Sequence, residues 1–209
     1  MQRYKRVLIL FISLAFILIA CLNLKQPSNT IEYYTLEYDP PLMGNRRPLS
    51  CVIKLKLFSV SPIYNTNRMI YRDRSFNRKA YVYHRWRANP GDVVTYFLRR
   101  DMNRSGLFKA TLSHDSSFPS SYMLEGMVDE FLELDGEDGW EAILSVSITF
   151  MAENEPDISN KILLQKAYRA NIPCRQKNPR ALAQAMSLAM ADISESIIKD
   201  IHDRLDDHK

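Results

Sequence analysis

Apolar and aromatic side chains, interrupted by Gly126 and Glu130, recur at every second position in two neighbouring runs, Tyr122, Leu124, Gly126, Val128, Glu130, Leu132, Leu134 and then Ala142, Leu144, Val146, Ile148, Phe150. Successive side chains of a strand point to opposite faces, so this period fits extended chain and would scatter around a helix. The intervening Asp135-Gly136-Glu137-Asp138-Gly139 is turn chemistry. A long β-hairpin therefore constrains everything else. A further strand, Lys161 to Ile172, follows the polar turn Asn154, Glu155, Pro156 and Asp157 and extends the hairpin to an antiparallel meander.

Tyr34, Leu36 and Tyr38 alternate in the same way, as do Ile53, Leu55 and Leu57 against Lys54 and Lys56 within Val52 to Phe58. Pro40-Pro41 and Pro48 mark the loop between these two strands. Arg68 to Arg72 and Lys79 to His84 form another pair, joined by the polar segment Asp73 to Arg78. Two helices begin at Asn-Pro steps, Asn89-Pro90 and Asn178-Pro179, where Asn caps and Pro suits the first helical position. The first runs from Pro90 to about Arg104 and ends near Gly106, ahead of a short strand at Leu107 to Leu112. The second carries one apolar stripe, Leu182, Met186, Ala189, Ile193, Ile197, Ile201 and Leu205. This order predicts a single α+β domain, a mainly antiparallel sheet with two helices packed on one face.

The N-terminus has a separate character. Arg3, Lys5 and Arg6 precede an unbroken apolar run, Val7 to Ala20, that closes on Leu18-Ile19-Ala20-Cys21. The run is shorter than the roughly 20 residues that span a bilayer and matches the apolar core of a cleaved secretory signal. Its last four residues resemble the lipobox of bacterial lipoproteins, which implies cleavage before Cys21 and acylation, palmitate included, of that cysteine. The division expected is signal peptide at 1–20, lipidated tether at 21–30 and folded domain at 31–209. Two or three acyl chains hold a protein stably on a membrane where one does not. Leu22 follows the cysteine; in enteric-type bacteria an aspartate there favours inner-membrane retention, so the resemblance implies the outer membrane, periplasmic face.

Loss of Arg3, Lys5 and Arg6 with the signal lowers the basic count from 28 to 25 against 24 acidic residues, so the mature chain is nearly neutral. That balance argues against a nucleic-acid partner. Of the three cysteines, Cys51 and Cys174 remain once Cys21 is acylated. In an oxidising compartment they can pair, closing a loop of about 120 residues worth about 4–5 kcal/mol, or persist as two separate thiols.

Catalytic chemistry is hard to assemble. There is no Gly-x-Ser-x-Gly, His84, His114, His202 and His208 share no motif, and the last two fall in a charged C-terminal tail. His114-Asp115-Ser116-Ser117 reads as a polar loop. No phosphate-cradling glycine loop or zinc-spaced Cys/His set occurs, and the acidic turn 135–139 lacks the twelve-residue calcium loop. No metal, no cofactor and no enzymatic activity are expected. Arg68, Tyr71, Tyr81, Tyr83 and Trp86 belong to a segment where arginines alternate with aromatics. Such a segment is either a binding face for a protein or anionic headgroups, or a half-buried hairpin with tyrosines in the core and arginines in water. An exposed edge strand would also permit self-association into a homo-oligomer or capture of a partner strand.

The lipobox, Tyr34-x-Leu36, the strand Val52 to Phe58 followed by Pro62-x-Tyr64, and the Tyr81 to Trp86 segment before a helix together resemble the ABC-type transport auxiliary lipoprotein family. The resemblance runs in element order from about Ile31 to Leu205. It implies a non-enzymatic accessory or docking subunit that works with an MCE (mammalian-cell-entry) domain protein and an ABC permease and ATPase, moving phospholipid or other hydrophobic molecules across the envelope. An envelope assembly factor, a secretion pilot or an outer-membrane protein chaperone, is the competing role. By motif, Tyr34, Leu36, Pro62, Tyr64 and Trp86 transfer as fold or docking positions. The Cys51/Cys174 pair departs from the family pattern.

Overall fold

The computed structural model describes residues 30–207, apart from Arg74 and Asp138, together with Tyr4. The rest of the signal, the Cys21 acylation site, tether residues 21–29 and His208 lie outside the described residues. In chain order the elements are β1 (Glu32–Tyr34), β2 (Leu49–Leu55), β3 (Ser59–Val60), β4 (Arg68–Arg72), β5 (Lys79–Trp86), α1 (Pro90–Ser105), β6 (Phe108–Leu112), β7 (Tyr122–Asp135), β8 (Trp140–Ala152), α2 (Ile158–Lys161), β9 (Ile162–Cys174) and α3 (Pro179–Asp206).

The long hairpin forms where the alternation places it. β7 and β8 pair antiparallel from Tyr122 opposite Ala152 to Asp135 opposite Trp140, and β9 pairs antiparallel with β8 from Ile162 to Cys174. Along β8 the period is unbroken, with Ala142, Leu144, Val146, Ile148 and Phe150 all buried. Along β7 it is not. A bulge between Val128 and Glu130 inserts Asp129, and beyond it Phe131 and Glu133, not Glu130, lie opposite Leu144 and Ala142 on the side that carries Val128. A carboxylate is thereby placed in the interior, with Glu133 buried and Glu130 half-exposed.

Elsewhere the β4–β5 hairpin is antiparallel as its sequence pattern predicts, but the remaining pairings are parallel and depart from a mainly antiparallel sheet. One edge of β7 pairs with β8 along its length. The other edge is shared by three strands, each parallel to it: β2 beside Tyr122–Leu124, β3 beside Met127–Val128 and β4 beside Glu133–Leu134. β6 adds to β2 and β1 to β5, again parallel, so five of the eight pairings in this nine-stranded sheet are parallel and the sheet is mixed. Parallel neighbours require a crossover, and α1 lies on the path that carries the chain between β2 and β6.

Both Asn-Pro starts are helix caps. The Asn89 side chain accepts from the Gly91 N–H at 3.1 Å and that of Asn178 from the Ala181 N–H at 2.8 Å. α1 stops at Gly106, whose φ of 66° is the left-handed conformation that ends helices. The described residues hold three helices and not two: α1 packs against β6 and β7, α3 against β8 and β9, and the single turn α2 precedes β9. The two long helices touch each other but cover different strands, which departs from a pair laid on one face. The buried set on α3 is also wider than one stripe. It includes Ala183, Ser187, Met190, Ser194, Ile198 and His202, because α1 and β1 press on the helix as well as the sheet.

Two early strands differ from their sequence pattern. β1 stops at Tyr34; Leu36 enters the core, while Tyr38 donates from its phenol to Asp101 on α1. β2 begins at Leu49, where the Leu49 N–H donates to the Leu107 carbonyl at 2.7 Å, and Leu57 points to solvent.

Candidate docking surface

β4 and β5 form the hairpin that carries Arg68, Tyr71, Tyr81, Tyr83 and Trp86, and the structure divides these five residues. Trp86 is 2% exposed and meets Phe131 edge to face at 5.1 Å between centroids. It is a core residue, so its expected part in partner binding is corrected: no partner reaches a ring sealed against β7. Tyr81 is half-buried. Its hydroxyl donates to both oxygens of Glu133 at 3.1–3.2 Å, and its ring packs against Tyr71 at 5.1 Å and His84 at 5.8 Å. Tyr83 and Arg68 remain exposed.

Three residues outside that set complete the exposed face. Register places Arg68 opposite Arg85, and Tyr33 of β1 opposite Arg85 on its other flank. Arg87 sits over the Tyr33 ring at 5.5 Å from its centroid. Tyr33 is 49% exposed. Alternation marks Arg85 in β5 and Arg87 just after its end, but Tyr33 comes from a parallel strand about fifty residues away, which no local pattern announces.

On the neighbouring side, Tyr34 donates to Glu32 at 2.6 Å and lies 3.4 Å from His84 Nδ1. Burial, with Glu32 adding to it, pushes the Tyr34 hydroxyl up to about 12. Burial also raises the Glu133 carboxyl above the ordinary carboxylate range, opposed by the Tyr81 hydrogen bond and by Lys177. Close by, the Cys174 thiol is pushed up to about 11 by burial first and by Glu133 second. Such a thiol stays protonated at neutral pH and is a poor nucleophile.

Cys51 and Cys174 are not bridged in this structure. β2 joins β7 at Tyr122–Leu124, whereas Cys174 lies opposite Trp140, which faces Asp135 at the far end of β7. More than ten residues of strand, over 30 Å at about 3.3 Å each, separate their sites, against the roughly 4.4–6.8 Å between α-carbons that a disulfide requires.

The other chemical candidates are dispersed. His84 is on β5, His114 in the loop after β6 and His202 on α3. His202 is not part of a solvated tail: it is 3% exposed, with Nε2 donating to the Arg47 carbonyl at 2.9 Å. In the 113–116 segment, Ser113 donates to Asp115 and the Ser116 N–H donates to the Ser113 carbonyl at 3.1 Å, which is turn chemistry. Asp135 is paired with Lys177 at 2.5 Å. Among the described residues no group of three His, Cys, Asp or Glu side chains is placed to hold a metal. A shallow groove of about 610 Å³ runs over Glu125, Met127, Ser147, Thr149 and Gln165 on the open side of β7–β9. No helix among the described residues is long and apolar enough to cross a membrane.

Comparison with known proteins bears on the whole fold. The crystal structure of a Xanthomonas campestris protein superposes with a TM-score of 0.72 at 16% identity, covering 86% of this chain and all of that one. A crystal structure of an uncharacterized protein gives 0.63 at 13% identity over 82% of this chain and 99% of its own. A hypothetical protein of Chlamydia trachomatis gives 0.50 at 9% identity over 74% and 96%. These likenesses establish a shared fold. A search of curated proteins finds no match. The model of one family, described as the ABC-type transport auxiliary lipoprotein component, matches residues 34–198, from the end of β1 into α3. With its mixed sheet, its two Asn-Pro-capped helices and its match over most of its length, the chain belongs to the ABC-type transport auxiliary lipoprotein family.

Proposed function

We propose that this protein is a non-enzymatic lipoprotein of the outer membrane, held on the periplasmic face through acylated Cys21, that serves as the accessory and docking subunit of an MCE-type ABC transport system. On this reading residues 1–20 are the removed signal, 21–30 the tether and 31–209 the domain that docks. The MCE-domain protein, permease and ATPase are separate chains, and the cargo is phospholipid or another hydrophobic molecule. Family membership supports the transport role. The observation that carries the docking role is Tyr83, a residue type enriched in binding hot spots that β5 presents to solvent.

The test is crosslinking in native membranes with the chain tagged at its C-terminus, followed by mass spectrometry of the captured proteins and lipids. Recovery of an MCE-domain protein is the expected result. Recovery of a secretin or an outer-membrane barrel in its place makes the chain an envelope assembly factor and rejects the transport role.

A further inference from the structure

Arg68 and Arg85 face each other across β4 and β5. Like charges in this arrangement destabilise a sheet unless something neutralises them. Among the described residues nothing does: the ion pairs present leave Arg68, Arg85 and Arg87 without a carboxylate within reach. The nearby Glu130 is already shared by Arg72, at 3.6 Å, and Arg169, and Glu32 accepts from Tyr34. The Arg85 Nε is buried and has no hydrogen-bond partner among the described residues. A structural role would supply an acid here. The arrangement sets Arg68, Arg85 and Tyr33 side by side across three strands, with Arg87 over the Tyr33 ring, and leaves the anion to come from elsewhere.

We propose that Arg68, Arg85, Arg87 and Tyr33 bind the anionic phospholipid headgroups of the membrane that holds the Cys21 anchor. The proposal rests on the acylation reading above and adds a second, electrostatic attachment. Tyr33 stands twelve positions after Cys21, a chain length of at most about 40 Å. Guanidinium pairs with phosphate through several parallel hydrogen bonds, and a tyrosine with one end wet suits the bilayer interface. A basic patch adds electrostatic attraction to anionic lipid beside whatever the acyl chains supply.

The test uses the full acylated chain reconstituted into vesicles of phosphatidylcholine alone, or with about a third of phosphatidylglycerol. Amide hydrogen exchange is read over Glu32–Tyr34 and Arg68–Trp86. Exchange there is expected to slow about tenfold in the anionic vesicles and to recover at high salt. The R68Q/R85Q/R87Q variant should lose the effect and R68K/R85K/R87K should keep most of it, with circular dichroism verifying that both are folded. Equal exchange in the two vesicles, or slowing that survives the glutamine variant, overturns the proposal. Flotation with neutral vesicles reads the anchor separately. A chain that fails to float there refutes acylation, and its exchange with anionic against neutral vesicles still decides the headgroup site. If soluble polyglutamate protects the face and anionic vesicles do not, its occupant is an acidic protein segment and the headgroup assignment is wrong.

Discussion

The phenol of Tyr38 donates a 2.6 Å hydrogen bond to Asp101, a carboxylate sealed inside the domain. Arg100 completes the arrangement, donating from Nε to the other oxygen at 2.8 Å while its guanidinium lies 4.3 Å from the Tyr38 centroid and 4.6 Å from that of Phe97. This is how the segment after β1 is fastened to α1. Burial and the Asp101 bond raise the Tyr38 hydroxyl well above the usual phenol range, so it remains a donor at any physiological pH.

Tyr38→Phe removes one of the two donors that satisfy a buried charge. A hydrogen bond to a charged group contributes about 1.5–3 kcal/mol, and the stranded acceptor sets the sign as destabilising. Urea unfolding should show a loss in that range, with faster amide exchange over 35–39. An unchanged midpoint would mean that water replaces the phenol and that Arg100 alone holds Asp101.

Trp86 and Tyr83 are three residues apart on one strand and should behave as opposites. Trp86→Ala opens a cavity beside Phe131 and should cost about 3–5 kcal/mol. Tyr83→Ala is a surface change and should stay within about 0.5 kcal/mol in the same unfolding experiment while weakening capture of the transport partner. Equal stability losses would place Tyr83 in the core and remove it from the docking face.

The same contrast shows what the sequence makes legible. Strict alternation locates β8 and nearly all of β7, and the Asn-Pro steps locate both long helices, because those signals act within a few residues. The bulge at Asp129 has no local signature: it shifts the inward side from Glu130 to Phe131 and Glu133, and only the register against β8 reveals it. The parallel pairings of β2, β3 and β4 with β7 are contacts between distant segments, and hairpin patterns suggest the antiparallel alternative. For the same reason Arg85 can be read from β5, while Tyr33, which β1 brings beside it, cannot. His202 looks like part of a charged tail in sequence and is instead clasped by the Arg47 carbonyl.

Glu133 should make stability depend on pH. Burial raises its folded-state value above the ordinary one, so between the two the folded protein binds the proton more tightly than the unfolded chain does. Its contribution is therefore most favourable in acid and declines as pH rises from the unfolded value of about 4.5 through the folded one. Glu133→Gln keeps an acceptor for Tyr81 and removes the buried charge. Thermal melts should show the variant gaining on the wild type as pH increases through that window and the difference closing below it. A difference that does not vary with pH would indicate that Lys177 already neutralises the carboxylate.

Phe58 and Gly126 supply a test of packing at the β3 crossing. A β-carbon at Gly126 would stand 2.6 Å from the Phe58 ring and 2.6 Å from the Ser147 carbonyl oxygen on β8, both too close for ordinary contact. Phe58 is buried, and its N–H donates to Thr95 Oγ1 on α1 at 2.9 Å, so neither its ring nor its backbone shifts freely. Gly126→Ala should cost about 1–3 kcal/mol through overpacking. In a Phe58→Ala background, destabilised by about 3–5 kcal/mol, the same substitution should cost less, since only the carbonyl remains in the way. The cycle apportions the clash: full additivity would assign it to the Ser147 backbone, and complete relief would assign it to the ring.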